Sequence, residues 1–481
     1  MSIPYVPFHV DLTSWQVIVM LVGVFVSSTV NSWLDWRNTL RSGLWKKVGI
    51  LGEIHPLAKT IFTRKKVSDS ERYQADSRNL EEFSSTVTSG FDTLVLLFGL
   101  SPAVIWAVFS MFPEIWPCVG VAISLFIVSL VGSLVNLPFS YLETFSLEER
   151  HGMNRMSRGM FAADHLKGIM VQLVFSVPFS IACAYVLQAY GDATLPGYAI
   201  LMGAFLAAGP IWEILHTHVI SRLFNTFQPL RRGSLKKKLD AIMRRNGMEA
   251  SKIVVMDSGK RTSATNAYVH GLGRKKRIVL FDELLTRFSD DEIVAIVAHE
   301  IGHVKLHHIL LGRLESILTI SLMVMLGIWL MNDISLYHAF GYRFVTPENL
   351  PSFRLVGFGL SMSLIGSVTW LLSPLAAWIS RKMEKQADAF AAKEAGKDPL
   401  RTSLMRLNAD NLSELAPDPV YETWNYSHPS ILPRLEAIGE VPEEDSERWA
   451  RRKIPEKKSS GRKRRRKGRR RNGTGKSDAL K

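Results

Sequence analysis

The pentapeptide HEIGH at residues 299–303 carries the strongest chemical signal in the sequence. It lies within SDDEIVAIVAHEIGHVKLHHILLG, which predicts a helix because a capping-box signature (SDDE) precedes an apolar face of helical spacing. On such a helix His299 and His303 are one turn apart on the same side, so both imidazoles could bind one Zn²⁺ ion. Glu300, next to the first histidine, could take a proton from a water molecule at that ion and act as general base.

Two histidines leave a zinc ion one protein ligand short. The candidate third ligand is Glu384, in SRKMEKQADAFAAKEAG. Asp388 follows one helical turn later and could accept a hydrogen bond from the free N–H of a ligand histidine. An acidic pair at this spacing is weak evidence alone, because it usually belongs to a solvated helix face. The position of Glu384 directly after an apolar run, on the same side of a membrane as HEIGH, favours the assignment.

Long apolar runs must bring these residues together. The chain has 481 residues, of which 47% are hydrophobic and 21% charged, and only two cysteines. Composition alone does not decide the class, but the apolar residues fall in long runs, and these exclude a purely soluble enzyme, a collagen-like chain and a disulfide scaffold. Runs of the length needed to cross a bilayer, about 20 residues, lie near residues 12–33, 91–112, 117–137, 167–188, 195–216, 313–332 and 356–379.

The connecting segments differ sharply in charge. Four of them contain, apart from Arg343, no Lys or Arg: residues 1–11, 113–116, 189–194 and 333–353. The others are basic: residues 34–90, 138–166, 217–312 and the chain after 380. Because Lys and Arg favour the cytosolic side, seven spans with an outside N-terminus place HEIGH, Glu384 and the C-terminus in the cytosol.

The sequence predicts five regions. Residues 1–216 hold spans one to five and cytosolic loops, residues 313–379 hold spans six and seven, and residues 380–450 form a cytosolic helical segment with the third ligand. Residues 217–312 form a cytosolic α+β segment, which contains a helix at 235–247, a strand at 252–256 and a hairpin of 263–271 with 275–282.

The fifth region, residues 451–481, is a basic tail predicted to be disordered. It contains 16 Lys and Arg against 2 Asp and Glu, whereas the other 450 residues contain 43 against 42. The positive net charge therefore belongs to the tail, and no nucleic-acid partner is expected. The tail could bind anionic lipid of the cytosolic leaflet, direct the protein to the inner nuclear membrane, or be a solvated arm without a partner.

Several blocks resemble the type I CAAX prenyl proteases, which are integral-membrane zinc metalloproteases of the gluzincin kind. The blocks are HEIGHVKLHH, EKQADAF, WNYSHPSILPRLEAI, SGKRTSATNAYVHGLGRKKRIVLFDELL, ETFSLEERHGMNRMS and LNADNL. Together with the order of the spans, the resemblance covers residues from about 10 to 440. It implies a mainly α membrane protein whose seven transmembrane helices enclose a chamber, with a cytosolic gluzincin-type α+β metalloprotease domain. Asn31, Asp92 and Glu315, inside the spans, would suit such a wet interior or interhelical bonds equally well.

The resemblance also implies an activity. A zinc endopeptidase of this family, with one Zn²⁺ ion, removes the C-terminal AAX tripeptide from a prenylated CAAX protein in the endoplasmic reticulum membrane. Its partners would be the prenylated substrate and membrane lipid. The resemblance assigns the same roles as above. His299, His303 and Glu384 are the zinc ligands, Glu300 is the general base, and Asp388 accepts a hydrogen bond from a ligand histidine. It further implies that His428 stabilises the oxyanion, that Asn266 belongs to an edge strand that pairs with substrate, and that Arg434 steers the substrate carboxylate.

The sequence departs from the family pattern near HEIGH. Lys385 and Val304 replace aromatic residues, and His307 replaces a glycine. These changes leave the shape of the pocket and the substrate preference open. We interpret His307 and His308 as solvated or structural residues.

Three alternative functions remain. A general membrane quality-control metalloprotease would share the zinc chemistry but cut unprenylated chains. An intramembrane protease is disfavoured because Asp290, Asp291 and Lys305 make the HEIGH segment too polar for the depth of a bilayer. A non-enzymatic membrane scaffold that uses its basic tail is disfavoured by the intact HEIGH motif and Glu384.

Overall fold

The computed structural model describes residues 4–5, 7–40, 49, 52–53, 55–248, 253–270 and 277–439. The basic tail at 451–481, with its predicted disorder and lipid contact, lies outside the described residues, as does the predicted hairpin turn.

Helices that are long and apolar enough to cross a membrane dominate the structure: Trp15–Thr39, Pro117–Glu148, Arg158–Tyr190, Leu195–Phe224, His308–Leu330 and Leu350–Ala395. The bent pair Arg64–Leu97 and Leu100–Met111 passes the same test of length and composition together and would be a seventh crossing. Large apolar side chains such as Phe25, Leu318 and Leu375 are exposed on these helices, as lipid-facing residues would be. The predicted mainly α membrane fold is confirmed.

The sequence predicts a membrane span near 91–112, and the structure has a break at Gly99 inside it, with a bend of 56° between the two helices. Gly99 has a φ of +60°, a left-handed conformation that costs glycine little. A Cβ atom there would also lie 2.4 Å from the carbonyl oxygen of Phe8. The N-terminal segment therefore packs directly against the backbone of the bend.

The α+β segment contains a four-stranded sheet: β1 (Phe227–Pro229), β2 (Ile253–Met256), β3 (Ala267–His270) and β4 (Arg277–Phe281). The strand order is β1-β2-β4-β3, in which β2 and β4 run parallel and the other pairs antiparallel. β3 and β4 form the predicted hairpin pair. β3 is thus an edge strand of the described sheet.

Shorter helices surround the sheet and the membrane ends: Ala58–Ile61, Ser234–Arg245, Asp282–Arg287, Asp290–Lys305, Ile334–Ala339, Lys397–Asp410, Pro419–Asn425 and Ile431–Ile438. We call Asp290–Lys305 the motif helix. Its apolar side packs in one buried core with the inner face of the sheet and with Leu404 and Met405. A second core, around Tyr337 and Phe353, lies where the span Leu350–Thr369 begins.

The two helices that carry the candidate ligands continue directly into membrane spans. The motif helix ends at Lys305, and the span His308–Leu330 begins three residues later. The last span, Leu350–Thr369, passes through a 3₁₀ turn into Ser373–Ala395, which we call the ligand helix. The site that these helices form is therefore held by two membrane crossings.

Candidate metal centre

The start of the motif helix is set by a capping box. The Ser289 hydroxyl accepts a hydrogen bond from the Glu292 N–H, and the Glu292 carboxylate accepts one from the Ser289 N–H at 2.8 Å. Glu292 is buried and also forms an ion pair of 3.0 Å with Arg406. This network satisfies the free amides at the helix start and holds the helix against the helix Lys397–Asp410.

Three side chains converge between the motif helix and the ligand helix. The Nε2 atoms of His299 and His303 lie 3.2 Å apart. The Glu384 Oε2 atom lies 3.3 Å from the first of these nitrogens, and Oε1 lies 3.2 Å from the second. Glu384 is almost fully buried, with a side chain that is 5% exposed. The structure thus brings together the three ligands that the sequence predicts.

The donor set fits a zinc ion. A tetrahedral zinc with bonds of about 2.0–2.1 Å separates two of its ligand atoms by about 3.3–3.4 Å, close to the observed spacings. The Glu384 Oε2 atom is buried and has no hydrogen-bond donor of good geometry within the described ranges. Burial lowers the pKa of His299, but Asp388 and Glu384 outweigh it and raise this pKa to about 9. The pocket therefore favours positive charge.

Glu300 lies beside the ligands and faces the edge strand. Burial raises the pKa of the Glu300 carboxyl, although His299 and His303 oppose this effect. The nearby Val269 N–H of β3 also favours the charged form of the carboxylate and lowers its pKa. A carboxylate with a raised pKa is suited to accept a proton and to release it again.

Asp388 lies behind His299 and links it to Arg434. Its Oδ1 atom is 2.9 Å from His299 Nδ1, the ring nitrogen that does not face Glu384. Arg434 donates two hydrogen bonds to the same carboxylate, from Nε at 2.8 Å and Nη2 at 2.7 Å. Arg434 Nη2 also lies 3.6 Å from Glu384 Oε2. The arginine is thus held by the ligand helix, and steering of a substrate carboxylate stays a prediction.

His428 approaches the centre from a turn before the helix Ile431–Ile438. Its Nδ1 atom lies 2.9 Å from Glu384 Oε2, yet the side chain is 65% exposed. Arg381 of the ligand helix holds this turn in place, because its Nη1 donates to the carbonyls of Glu422 and Tyr426 at 3.0 and 2.6 Å. The exposed ring can therefore meet a bound molecule.

A cavity of about 450 Å³ opens beside this turn and is lined in part by Asn411, His428 and Arg434. Asn266 lies just before β3, where its exposed side chain accepts a hydrogen bond from the Ala267 N–H. Its carbonyl accepts one from the Phe281 N–H of β4, so the residue is anchored to the sheet. Contact of Asn266 with a substrate stays a prediction.

Sequence reasoning did not find the role of His308. Its ring is buried, with Nδ1 at 3.1 Å from His303 Nδ1 and Nε2 at 2.9 Å from the Gln386 side-chain oxygen. His308 thus orients the second ligand histidine, as Asp388 does the first. The sequence offered one indication of this contact, since His308 follows His303 by five residues. That spacing brings the two rings together only because the helix breaks at His307.

Comparison with known proteins identifies related sequences along most of the chain. The pattern described as peptidase family M48 matches residues 229–441, and the pattern described as CAAX prenyl protease N-terminal, five membrane helices, matches residues 53–226. The CAAX prenyl protease 1 homolog of Arabidopsis thaliana is 31% identical over 79% of this chain and 88% of its own length. CAAX prenyl protease 1 of Saccharomyces cerevisiae is 32% identical over 72% of this chain and 82% of its own.

A solved structure has a similar fold. The crystal structure of S. mikatae Ste24p superimposes with a TM-score of 0.78 and 27% sequence identity, covering 89% of this chain and 100% of that one.

Proposed function

This chain belongs to peptidase family M48, in its group of membrane-embedded CAAX prenyl proteases, and we propose that it removes the AAX tripeptide from prenylated CAAX proteins with a single zinc ion. It is a multi-pass membrane metalloprotease. One observation carries the assignment of the site. Ligand atoms of His299, His303 and Glu384 lie within 4.8 Å of one another, although two membrane crossings separate the histidines from the glutamate in the sequence.

In this proposal His299, His303 and Glu384 hold the zinc ion, and Asp388 and His308 fix the two imidazole orientations. When bound, zinc supplies Lewis acidity to the scissile carbonyl and makes water a better nucleophile at neutral pH. Glu300 accepts a proton from the attacking water and donates it to the leaving amine. His428 donates a hydrogen bond to the oxygen on which negative charge develops.

Substrate binding is assigned to the edge of β3. An extended peptide can add to this edge through main-chain hydrogen bonds, with Asn266 at its start. The Val269 N–H that contacts Glu300 belongs to the same edge, so a peptide paired there lies next to the base. Because the motif helix and the ligand helix both continue into spans, a peptide anchored by a prenyl chain in the bilayer stays close to the site.

We further infer that the spans enclose a water-filled chamber. A cavity of about 620 Å³ between the spans is lined by Asn31, Asp92 and Ser363 among others, and polar groups at this depth are costly unless they face water or one another. The charge bias of the loops supports a site on the cytosolic side, and the family supports the endoplasmic reticulum membrane, with the inner nuclear membrane as a second location.

The direct test is release of AAX from a farnesylated CAAX peptide by the purified protein. We expect Glu300→Gln to reduce the rate by about 10²–10⁴-fold with bound zinc unchanged. His299→Ala should lose the zinc, measured by metal analysis. Glu436→Gln, an exposed carboxylate on the helix Ile431–Ile438, is the control and should match the wild type. Wild-type activity in Glu300→Gln would eliminate the assigned base.

A quality-control protease would have the same metal chemistry. Cleavage of one peptide in prenylated and unprenylated forms separates the two functions. We expect the prenylated form to be cut preferentially, and equal rates would favour the quality-control function.

A further inference from the structure

The span Leu195–Phe224 ends in a feature that the proteolytic site does not use. Residues Leu195 to Leu215 are regular α-helix, and at 1.5 Å per residue they cover about 30 Å, the thickness of the hydrocarbon core. A π turn, His216–Ile220, follows, and such turns often occur at functional positions. Trp212, one turn earlier, is 53% exposed, as tryptophans at the membrane–water boundary are. The π turn therefore lies at the level of lipid headgroups.

A cavity of about 200 Å³ with both apolar and polar residues in its wall lies between this π turn and the sheet. Arg222 and His216 line it from the span, and Arg277 lines it from the first position of β4. Thr217, Ser221 and Tyr268 add hydroxyl groups to the wall, and those of Thr217 and Ser221 donate to backbone carbonyls of their own helix. Among the described residues, the cavity wall thus contains two guanidinium groups and an imidazole, and none of the described lining residues carries a carboxylate.

The two arginines are exposed, and within the described ranges neither forms an ion pair with Asp or Glu. Other arginines near the sheet do: Arg155 pairs with Glu283, and Arg261 pairs with Asp164 at 2.7 Å. Two like charges brought to one cavity repel each other, so their arrangement favours an anion between them. Guanidinium groups are well suited to the oxygens of a phosphate.

This cavity is separate from the metal centre, because the sheet lies between them. Tyr268 and Val279 form its floor on one face of the sheet. The alternate residues Ile278 and Leu280 point the other way, into the core that contains the motif helix. A ligand in the cavity would therefore contact the back of the edge strand without reaching the zinc ligands.

We propose that this cavity binds a phosphate group, presented by the headgroup of an anionic phospholipid. Ile211 and Ile214, exposed on the span just before the π turn, are apolar and would face the acyl chains of such a lipid. Basic pockets at the polar ends of transmembrane helices are suited to phospholipid headgroups, since they offer charge at the depth of the phosphates. The site goes beyond the proposed proteolysis and needs no zinc.

The experiment uses the full-length protein purified in detergent, loaded with phosphatidylinositol in a phosphatidylcholine background and then washed. Mass spectrometry measures the phosphatidylinositol retained per protein. We expect the double variant R222Q/R277Q to retain about 30-fold less than the wild type, the effect of losing two near-surface arginine contacts. R231Q/R232Q removes the same charge from exposed residues outside the cavity and should retain the lipid.

A second arm distinguishes a lipid phosphate from a free one. Inorganic phosphate is added to each variant in phosphatidylcholine alone, and the melting temperature is measured. Inorganic phosphate could stabilise the wild type but not R222Q/R277Q while neither retains lipid selectively. That result would support a phosphate site for a soluble ligand. If neither probe distinguishes R222Q/R277Q from R231Q/R232Q, while size-exclusion profiles show both to be folded, the proposal is overturned.

Discussion

Gly302 of the motif helix lies directly against Ala387 of the ligand helix. A Cβ atom on Gly302 would be 3.2 Å from the Ala387 Cα and 3.3 Å from its carbonyl oxygen. Ala387 is itself fully buried. Two small residues thus allow the helix backbones to approach closely at the level of the metal centre, which lets Glu384 reach both histidines.

Gly302→Ala should separate the two helices slightly. Two of the three nearest atoms belong to the Ala387 backbone and the third to the Phe390 ring, so a side-chain rotation alone cannot accommodate the added methyl. We expect about 1–3 kcal/mol of destabilisation with weaker zinc binding. Melting temperature and metal content measure the two effects. Gly312→Ala is the matched control, since nothing lies within 4 Å of its Cβ position. Equal zinc affinity in both variants would show that close helix packing does not determine the site.

His307 adopts a φ of +60° where the motif helix ends and the next span begins. A side chain in this left-handed conformation costs about 1–2 kcal/mol, whereas glycine avoids the cost but loses more entropy on folding. We therefore expect His307→Gly to raise stability by about 0.5–1 kcal/mol, seen as a higher melting temperature. His307→Ala, which keeps a Cβ, should not produce the gain. A lower melting temperature for His307→Gly would contradict the strained conformation.

Asp388→Asn should affect both the metal and the fold. The amide cannot balance the positive charge of the buried Arg434, and the loss of this ion pair costs about 3–5 kcal/mol. The amide also holds the His299 ring less firmly. Zinc affinity should fall by about 10–100-fold, measured by competition with a chelator. Asp410→Asn, which breaks a pair with the half-exposed Lys66, should cost about 1 kcal/mol or less. Unchanged zinc affinity in Asp388→Asn would refute the positioning role.

His428→Gln tests the oxyanion donor. Because the ring is largely exposed and contacts the site from outside, its removal should leave folding and bound zinc intact. We expect kcat to fall by about 10²–10³-fold, with little change in KM. Ser427→Ala, in the same turn, should retain the wild-type rate. A change confined to KM would instead indicate that His428 binds substrate in the ground state.

Several features followed from local rules. The capping box at Ser289, the one-turn spacing of His299 and His303, and the apolar runs all depend on residues near one another in the chain, so helix geometry and bilayer thickness determine them. Even there, the bend at Gly99 was not predicted, because it depends on the close approach of Phe8 from the N-terminus.

Long-range contacts settled the remainder. The sequence suggested Glu384 by its side of the membrane, but only packing through Gly302 and Ala387 brings its carboxylate within 3.3 Å of both imidazoles. The pairing of Arg434 with Asp388 and the contact of His308 with His303 likewise involve side chains whose partners are chosen by the arrangement of helices. Spacing along a chain specifies which face of a helix a residue occupies, whereas the neighbour of that face is specified by the packing of the whole protein.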